Sequence, residues 1–171
     1  SWRLRSAFRA ILVIGGPGSG KGLLCERLIQ QARIQHCSSG DMLREEVTAR
    51  TPLGLECEKI MKEGKLLPSA TVMALLKKKV SKFPGAYVAL DGFPRSRQNY
   101  DDFNKICGSP EFALFIDVPD EIMIERILKR GEESGRLDDN IDTALKRIET
   151  FHAMGRPTLE RLQEDNVPVH V

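Results

Sequence analysis

The sequence predicts an α/β fold: a doubly wound parallel sheet with helices on both faces. Three observations predict it. Short β-branched runs of strand length alternate with longer segments of helical spacing. The first run, Ala10–Ile14, stops at a glycine pair, as a buried parallel strand feeding a helix would. The length, 171 residues, suits one domain around one core.

Taken in order, Ala10–Ile14 is the first strand, and Leu23–Arg33 the first helix, with Leu24, Leu28 and Ile29 on one face. Ser39-Gly40-Asp41 precedes a helix over Met42–Ala49. A third helix, Leu53–Glu63, closes at Gly64, and Pro68-Ser69 opens a fourth from Ala70 to Val80. Ala86–Leu90 is a second strand, running into Asp91-Gly92-Phe93-Pro94. Phe112–Val118 is a third, ended by Pro119. Asp120 caps a helix over Glu121–Lys129. Gly131–Asp139 reads as a polar loop, and Asp142–Met154 as a helix that Pro157 restarts or kinks. Val167–Val171 closes the pattern as a strand. A doubly wound domain is expected to cover that strand with one more helix, so a missing C-terminus is the expectation.

Composition excludes several classes. Apolar residues make up 41% and charged residues 29%, as in ordinary globular proteins. The longest apolar runs fall far short of the roughly 20 residues a membrane span needs. Lys and Arg total 26 against 24 Asp and Glu, a net charge of +2, so neither nucleic acid nor a membrane surface is an expected partner. Any basic site must be local. Cys25, Cys37, Cys57 and Cys107 form no CxxC pair and no zinc spacing, and read as free thiols of a reducing compartment, the cytoplasm. Ser1–Phe8 carries Arg3 and Arg5 but is too short for a transit peptide; a fragment start or an N-terminal turn explains it equally well.

Two motifs carry chemistry. Gly15-Gly16-Pro17-Gly18-Ser19-Gly20-Lys21 fits GxxxxGK between a strand and a helix. Glycines let successive backbone N–H groups turn inward around a phosphate, the helix N-terminus adds partial positive charge, and Lys21 reaches the terminal phosphates. The residue after the lysine is Gly22, without the hydroxyl that usually binds magnesium, so Mg2+ is expected to be held mainly through water. The second motif is a set of arginines: Arg44, Arg95, Arg126, Arg130, Arg136 and Arg147. Guanidinium forks match phosphate oxygens. Arg95 follows a strand end, where open α/β sheets place ligands, and Asp91 at the same end is a candidate for the magnesium water shell.

With these residues in place, the chain resembles the adenylate kinase and UMP-CMP kinase family of nucleoside monophosphate (NMP) kinases with a short lid. The resemblance runs from Ile11 to Val171. Gly15–Gly22 resembles the family P-loop. Ser38-Ser39-Gly40-Asp41-Met42-Leu43-Arg44 resembles its monophosphate-binding segment, and Lys62-Glu63-Gly64-Lys65-Leu66-Leu67-Pro68 the stretch beside the acceptor base. Asp91-Gly92-Phe93-Pro94-Arg95 resembles its signature, and Leu128–Asn140 its short lid.

The resemblance implies a P-loop kinase fold in one domain over residues 1–171, with an NMP-binding segment at about 37–68 and a lid at about 131–139. It implies that the family's final C-terminal helix is absent. It implies a monomeric domain, alone or within a longer chain, that transfers phosphate reversibly from MgATP to an NMP. Gly16, Pro17, Gly18, Ser19, Gly20, Lys21 and Gly22 would hold ATP, with Arg126 and Arg130. Ser39, Arg44, Lys65, Leu66, Leu67, Gly92, Phe93, Pro94, Arg95 and Asn99 would hold the NMP, with Arg136 and Arg147. Lys21, Arg95, Arg130, Arg136 and Arg147 would be catalytic, and Asp91 would hold Mg2+ through water.

Three features depart from the family. Leu23-Leu24 stands where members usually have Thr-Gln, so a hydroxyl for the α-phosphate is missing. Ser39 leans toward AMP and Asn99 toward a pyrimidine acceptor; the lid reads nearer to the short adenylate kinases, and AMP is preferred. The sequence also ends before the family's adenine-side loop. The alternatives are a UMP/CMP kinase and, from another class, a catalytically weak nucleotide-binding or scaffolding domain.

Overall fold

The computed structural model describes residues 8–136 and 139–171. The basic stretch Ser1–Ala7 and the lid residues Leu137 and Asp138 lie outside the described residues. Five parallel strands form one sheet in the order β2-β3-β1-β4-β5. They are β1 (Arg9–Gly15), β2 (Ile34–Ser38), β3 (Tyr87–Asp91), β4 (Phe112–Ile116) and β5 (Val169–His170). The helices are α1 (Lys21–Gln31), α2 (Ser39–Thr48), α3 (Pro52–Lys62), α4 (Ser69–Val80), α5 (Arg97–Cys107), α6 (Asp120–Ser134), α7 (Ile141–Thr150) and α8 (Arg156–Glu164).

The sheet is buried on both faces. Leu12, Ile14, Val88, Leu90 and Phe115 point into the larger core with α4, α5 and α8. Val13 and Ala89 point the other way, onto Cys25 of α1. Alternation along each strand thus separates two apolar layers, which is why the strands read as continuous hydrophobic runs. Among the described residues no helix is long and apolar enough to cross a membrane.

Local chemistry sets the helix starts. Ser38, Thr51, Ser96 and Asn140 each accept a hydrogen bond from a backbone N–H three residues on, capping α2, α3, α5 and α7. Asp120, expected as the cap of α6, is instead its first residue after Pro119 and makes no capping bond; with Glu121 it sits in the first turn, favoured by the helix dipole. Gly54 lets α3 press against α2: a Cβ there would stand 2.0 Å from the Glu46 carbonyl oxygen.

The structure corrects several sequence expectations. The edge strand β2 and the helix α5 are additional elements. Helix α1 begins at Lys21, and its inward side is Cys25 with Leu24, while Ile29 is exposed. Helix α2 begins at Ser39. Helix α6 continues through Ser134, so the first half of the expected Gly131–Asp139 loop is helical; Gly135, at φ +62°, ends it. The helix expected to reach Met154 stops at Thr150 and widens into a π-helical turn, Phe151–Gly155, before α8. Pro157 sits in the first turn of α8, where its missing N–H costs nothing. The last strand is Val169–His170 only. The four cysteines are free thiols, three of them buried.

Candidate active site

β1 and β3 are parallel neighbours, so their carboxyl ends open on the same rim. Two loops leave from it, Gly16–Gly20 after β1 and Gly92–Ser96 after β3. The first is a tight phosphate-type loop. Gly18 and Gly20 take φ of +75° and +98°, and a Cβ on Gly18 would lie 2.6 Å from the Met123 carbonyl oxygen. Helix α6 therefore packs directly on the loop, and Arg126 from α6 donates to the Ser19 carbonyl at 3.3 Å.

Lys21 is the first residue of α1. Its Nζ donates to the carbonyls of Gly15 (2.9 Å) and Gly16 (2.6 Å), with Ser19 Oγ at 3.4 Å. Burial lowers its pKa to about 7; Asp91 pulls it back up, and Arg95, Arg147 and Arg130 push it down. The site thus holds more positive charge than its own carboxylates offset. Arg136 shows the same strain: burial, then repulsion from Arg44 and Arg130, hold its pKa below the usual arginine value.

Arg95 is fixed before any phosphate arrives. Its Nε donates to the Gly92 carbonyl at 2.9 Å and its Nη2 to Ser39 Oγ at 3.1 Å. Ser39 Oγ in turn donates to the Gly92 carbonyl at 2.8 Å, and the Arg95 N–H donates to Asn99 Oδ1 at 3.2 Å. Arg44 donates to Asp41 Oδ1 through Nη2 (2.5 Å) and Nε (3.2 Å). Asp139 clasps two arginines: Arg130 donates to it through Nε (2.6 Å) and Nη2 (2.7 Å), and Arg147 through Nη1 (3.1 Å). Asp91, at the end of β3, meets His36 Nε2 at 3.1 Å.

Lys21, Ser39, Arg44, Arg95, Asn99 and Arg147 converge on one cavity of about 120 Å³. Pro17 borders it on the phosphate-loop side, and Gly92, Phe93 and Pro94 on the β3 side. Lys65, Leu66 and Leu67 line it as well, although the Lys65 ammonium turns outward to Glu63 at 2.8 Å. Leu43, Met61 and Val72 complete an apolar wall beside the charged one. An apolar wall with one amide suits a flat heteroaromatic base, and the arginines suit its phosphate.

Arg136 lies outside this cavity. It lines a neighbouring cleft with Arg44, between α2, α3 and the end of α6. Arg126 reaches the phosphate loop at the Ser19 carbonyl and Arg130 shares Asp139 with Arg147; neither lines the cavity. Sequence reasoning missed Met61, Val72, Thr150 and Phe151 as wall residues, and the clasp role of Asp139. The apolar ones carry no signal beyond helical spacing. Asp139 was visible only as a carboxylate within an arginine-rich segment.

A loop shaped for one polyphosphate, and next to it a cavity shaped for a second phosphate and its base, define the class: a P-loop nucleoside monophosphate kinase. The sequence comparisons narrow it. The sequence model of the adenylate kinase family matches residues 13–167. The chain is 41% identical over 155 residues to human adenylate kinase isoenzyme 1, covering 88% of this chain and 79% of the relative. It is 40% identical over 160 residues to adenylate kinase 1 of Schistosoma mansoni, covering 92% and 81%. It is also 40% identical over 149 residues to the probable UMP-CMP kinase 2 of Arabidopsis thaliana, covering 86% and 57%. The chain belongs to the adenylate kinase family.

Proposed function

We propose that this enzyme transfers the terminal phosphoryl group of MgATP to AMP, reversibly, giving two ADP. One observation carries the reading: Lys21, Arg44, Arg95 and Arg147 meet at a single cavity beside the phosphate loop, and burial and mutual repulsion already depress the lysine's pKa. Such an arrangement is costly without anions and favourable with them. A net charge of +2 over the chain shows that the concentration is local.

In this reading the roles are those the family resemblance implies, with Arg136 reaching the site from the neighbouring cleft it shares with Arg44. The Gly16–Gly22 amides and Lys21 hold the donor's β- and γ-phosphates, with Arg126 bracing the loop and Arg130 facing the donor. Arg95 and Arg44 grip the acceptor phosphate. The Leu66–Leu67 backbone and Asn99 border its base. Arg147 and Arg136 bridge toward the transferring group. The acceptor's own phosphate oxygen is the nucleophile, so no side chain needs to attack or to remove a proton. Alignment and charge neutralisation lower the barrier.

Asp91 would hold Mg2+ through water. Its Oδ2 lies 3.9 Å from where a Gly22 Cβ would stand, beside Lys21 at the start of α1. A single carboxylate, with Gly22 in place of the hydroxyl residue that usually follows the lysine, suits an ion that keeps most of its waters. When bound, Mg2+ neutralises phosphate charge as the phosphoryl group moves. The Ser39–Leu67 segment would close over the substrates and exclude water. Four free cysteines support a reducing compartment, the cytoplasm.

AMP is supported by the adenylate kinases among the relatives and by Ser39. Asn99 and the UMP-CMP kinase relative support the second reading, a pyrimidine monophosphate as acceptor. Arg95→Ala tests the site. Turnover should vanish while ATP binding, measured by calorimetry, stays near the unmutated value. Unchanged turnover would overturn the role given to Arg95.

A further inference from the structure

Behind the phosphate loop, three elements bring unlike ligand groups together. Cys25 comes from α1, His36 from the edge strand β2 and Asp91 from the end of β3. A Cys25 Sγ, a His36 ring nitrogen and an Asp91 carboxylate oxygen all lie within 4.8 Å of one another. The fold fixes this meeting. His36 is in register with Ala89, two residues before Asp91, so both side chains leave the same face of the sheet. That is the face α1 covers with Cys25, which is fully buried.

We propose that Cys25, His36 and Asp91 form a zinc site, distinct from the magnesium that accompanies ATP. The donor set selects the metal. Thiolate, imidazole and carboxylate together suit Zn2+, whereas Mg2+ and Ca2+ take oxygen ligands. The spacing suits it as well. Nitrogen and oxygen ligands at about 2.0–2.1 Å from a tetrahedral zinc stand roughly 3.3 Å apart. His36 Nε2 and Asp91 Oδ2 are already 3.1 Å apart. The Cys25 sulfur lies within 4.8 Å of both and completes the set as the metal binds. Access is through the His36 side chain, which is 23% exposed, and a water from that side takes the fourth position. On binding, the Cys25 thiol releases its proton to solvent and the S–Zn bond forms; nothing is oxidised or reduced.

One consequence rests on the proposed kinase reading. Zinc would engage the carboxylate assigned to the magnesium water shell, so it would slow turnover at saturating MgATP.

The test uses the full chain without nucleotide, so its outcome is independent of kinase activity. Zn2+ is titrated by calorimetry into the unmutated protein and into Cys25→Ser, Cys25→Ala and His36→Gln. The expected result is one Zn2+ per chain, with affinity weakened at least about 10-fold in each variant. Co2+ in place of Zn2+ should give a thiolate-to-cobalt charge-transfer band that Cys25→Ser abolishes. Cys25→Ser nearly keeps the side-chain volume, and His36→Gln changes a residue that is only partly buried, so a folding defect in one variant leaves the others informative. Zinc binding unaffected by the Cys25 substitutions or by His36→Gln, the absence of stoichiometric binding, or bound Co2+ without a thiolate band would each overturn the proposal.

Discussion

Asp139 ties Arg130 to Arg147, and removing it has a calculable effect. Its side chain is fully buried and receives three N–H donors from two guanidinium groups, at 2.6, 2.7 and 3.1 Å. A hydrogen bond to a charged group contributes about 1.5–3 kcal/mol, and breaking a buried ion pair costs about 3–5 kcal/mol. Arg130 and Arg147 are themselves partly exposed, at 33% and 20%, so water recovers part of the loss. Asp139→Ala should therefore destabilise the fold by about 2–4 kcal/mol. Asp139→Asn keeps the shape and one acceptor and should cost about half of that. Urea denaturation at neutral pH reads the difference as a lower midpoint at unchanged slope. The pH dependence has a definite sign. Burial pushes the Asp139 carboxyl up, but Arg130 and Arg147 outweigh it and hold it below the ordinary aspartate value. The unfolded chain therefore takes up the proton first. The stabilisation is present above roughly pH 4 and fades as pH falls through the folded value. A gap between unmutated protein and Asp139→Ala below about 0.5 kcal/mol at neutral pH, or one that widens in acid, would refute the reasoning.

Four further outcomes are expected. Lys21 has a folded pKa of about 7, lowered by burial, and phosphates raise it; ATP binding near pH 8 should take up close to one proton, read from calorimetry in buffers of different ionisation enthalpy, and Lys21→Met should abolish the uptake. The same variant should lose turnover by about 10²–10³-fold or more, the scale of removing one charge-stabilising donor. Leu23 is 57% exposed at the start of α1, so Leu23→Thr should leave stability nearly unchanged while improving ATP affinity or turnover by about one to two decades, the size of one regained hydrogen bond to a charged group. Gly54→Ala would place a methyl group 2.0 Å from the Glu46 carbonyl and should destabilise the α2–α3 pair by about 1–3 kcal/mol, measured by thermal or urea unfolding.

Much of this was legible in the sequence because the rim of the sheet is built from local signals. The Gly15–Gly22 run declares its own turn, and Asp91–Arg95 follows an unmistakable buried strand. What failed to show depended on tertiary context. Ile34–Ser38 is a five-residue edge strand of mixed polarity, and only its pairing with β3 makes it a strand. Helix α5 is strongly polar, with Tyr100 and Phe103 as its main buried side chains, and its cap at Ser96 follows directly on the Arg95 loop. The π-helical turn at Phe151–Gly155 arises from packing: Phe151 stacks on Phe115 and crowds Gly155, where a Cβ would meet its ring at 2.7 Å. The arginines were visible individually, but the sorting of Arg95, Arg44 and Arg147 to the cavity, Arg136 to the neighbouring cleft, Arg126 to the Ser19 carbonyl and Arg130 to Asp139 is a property of the fold. Cys25, His36 and Asp91 are far apart along the chain and match no ligand spacing, so their meeting belongs to the sheet register alone.

The central claim is tested most directly by a coupled assay of nucleoside diphosphate formation with MgATP, presenting AMP, CMP, UMP and GMP separately beside a Lys21→Ala control. The account expects AMP to be phosphorylated fastest and the control to be inactive. Faster turnover of CMP or UMP would contradict the acceptor assignment. No turnover with any acceptor, from a folded protein that binds ATP, would contradict the kinase itself and favour a nucleotide-binding module.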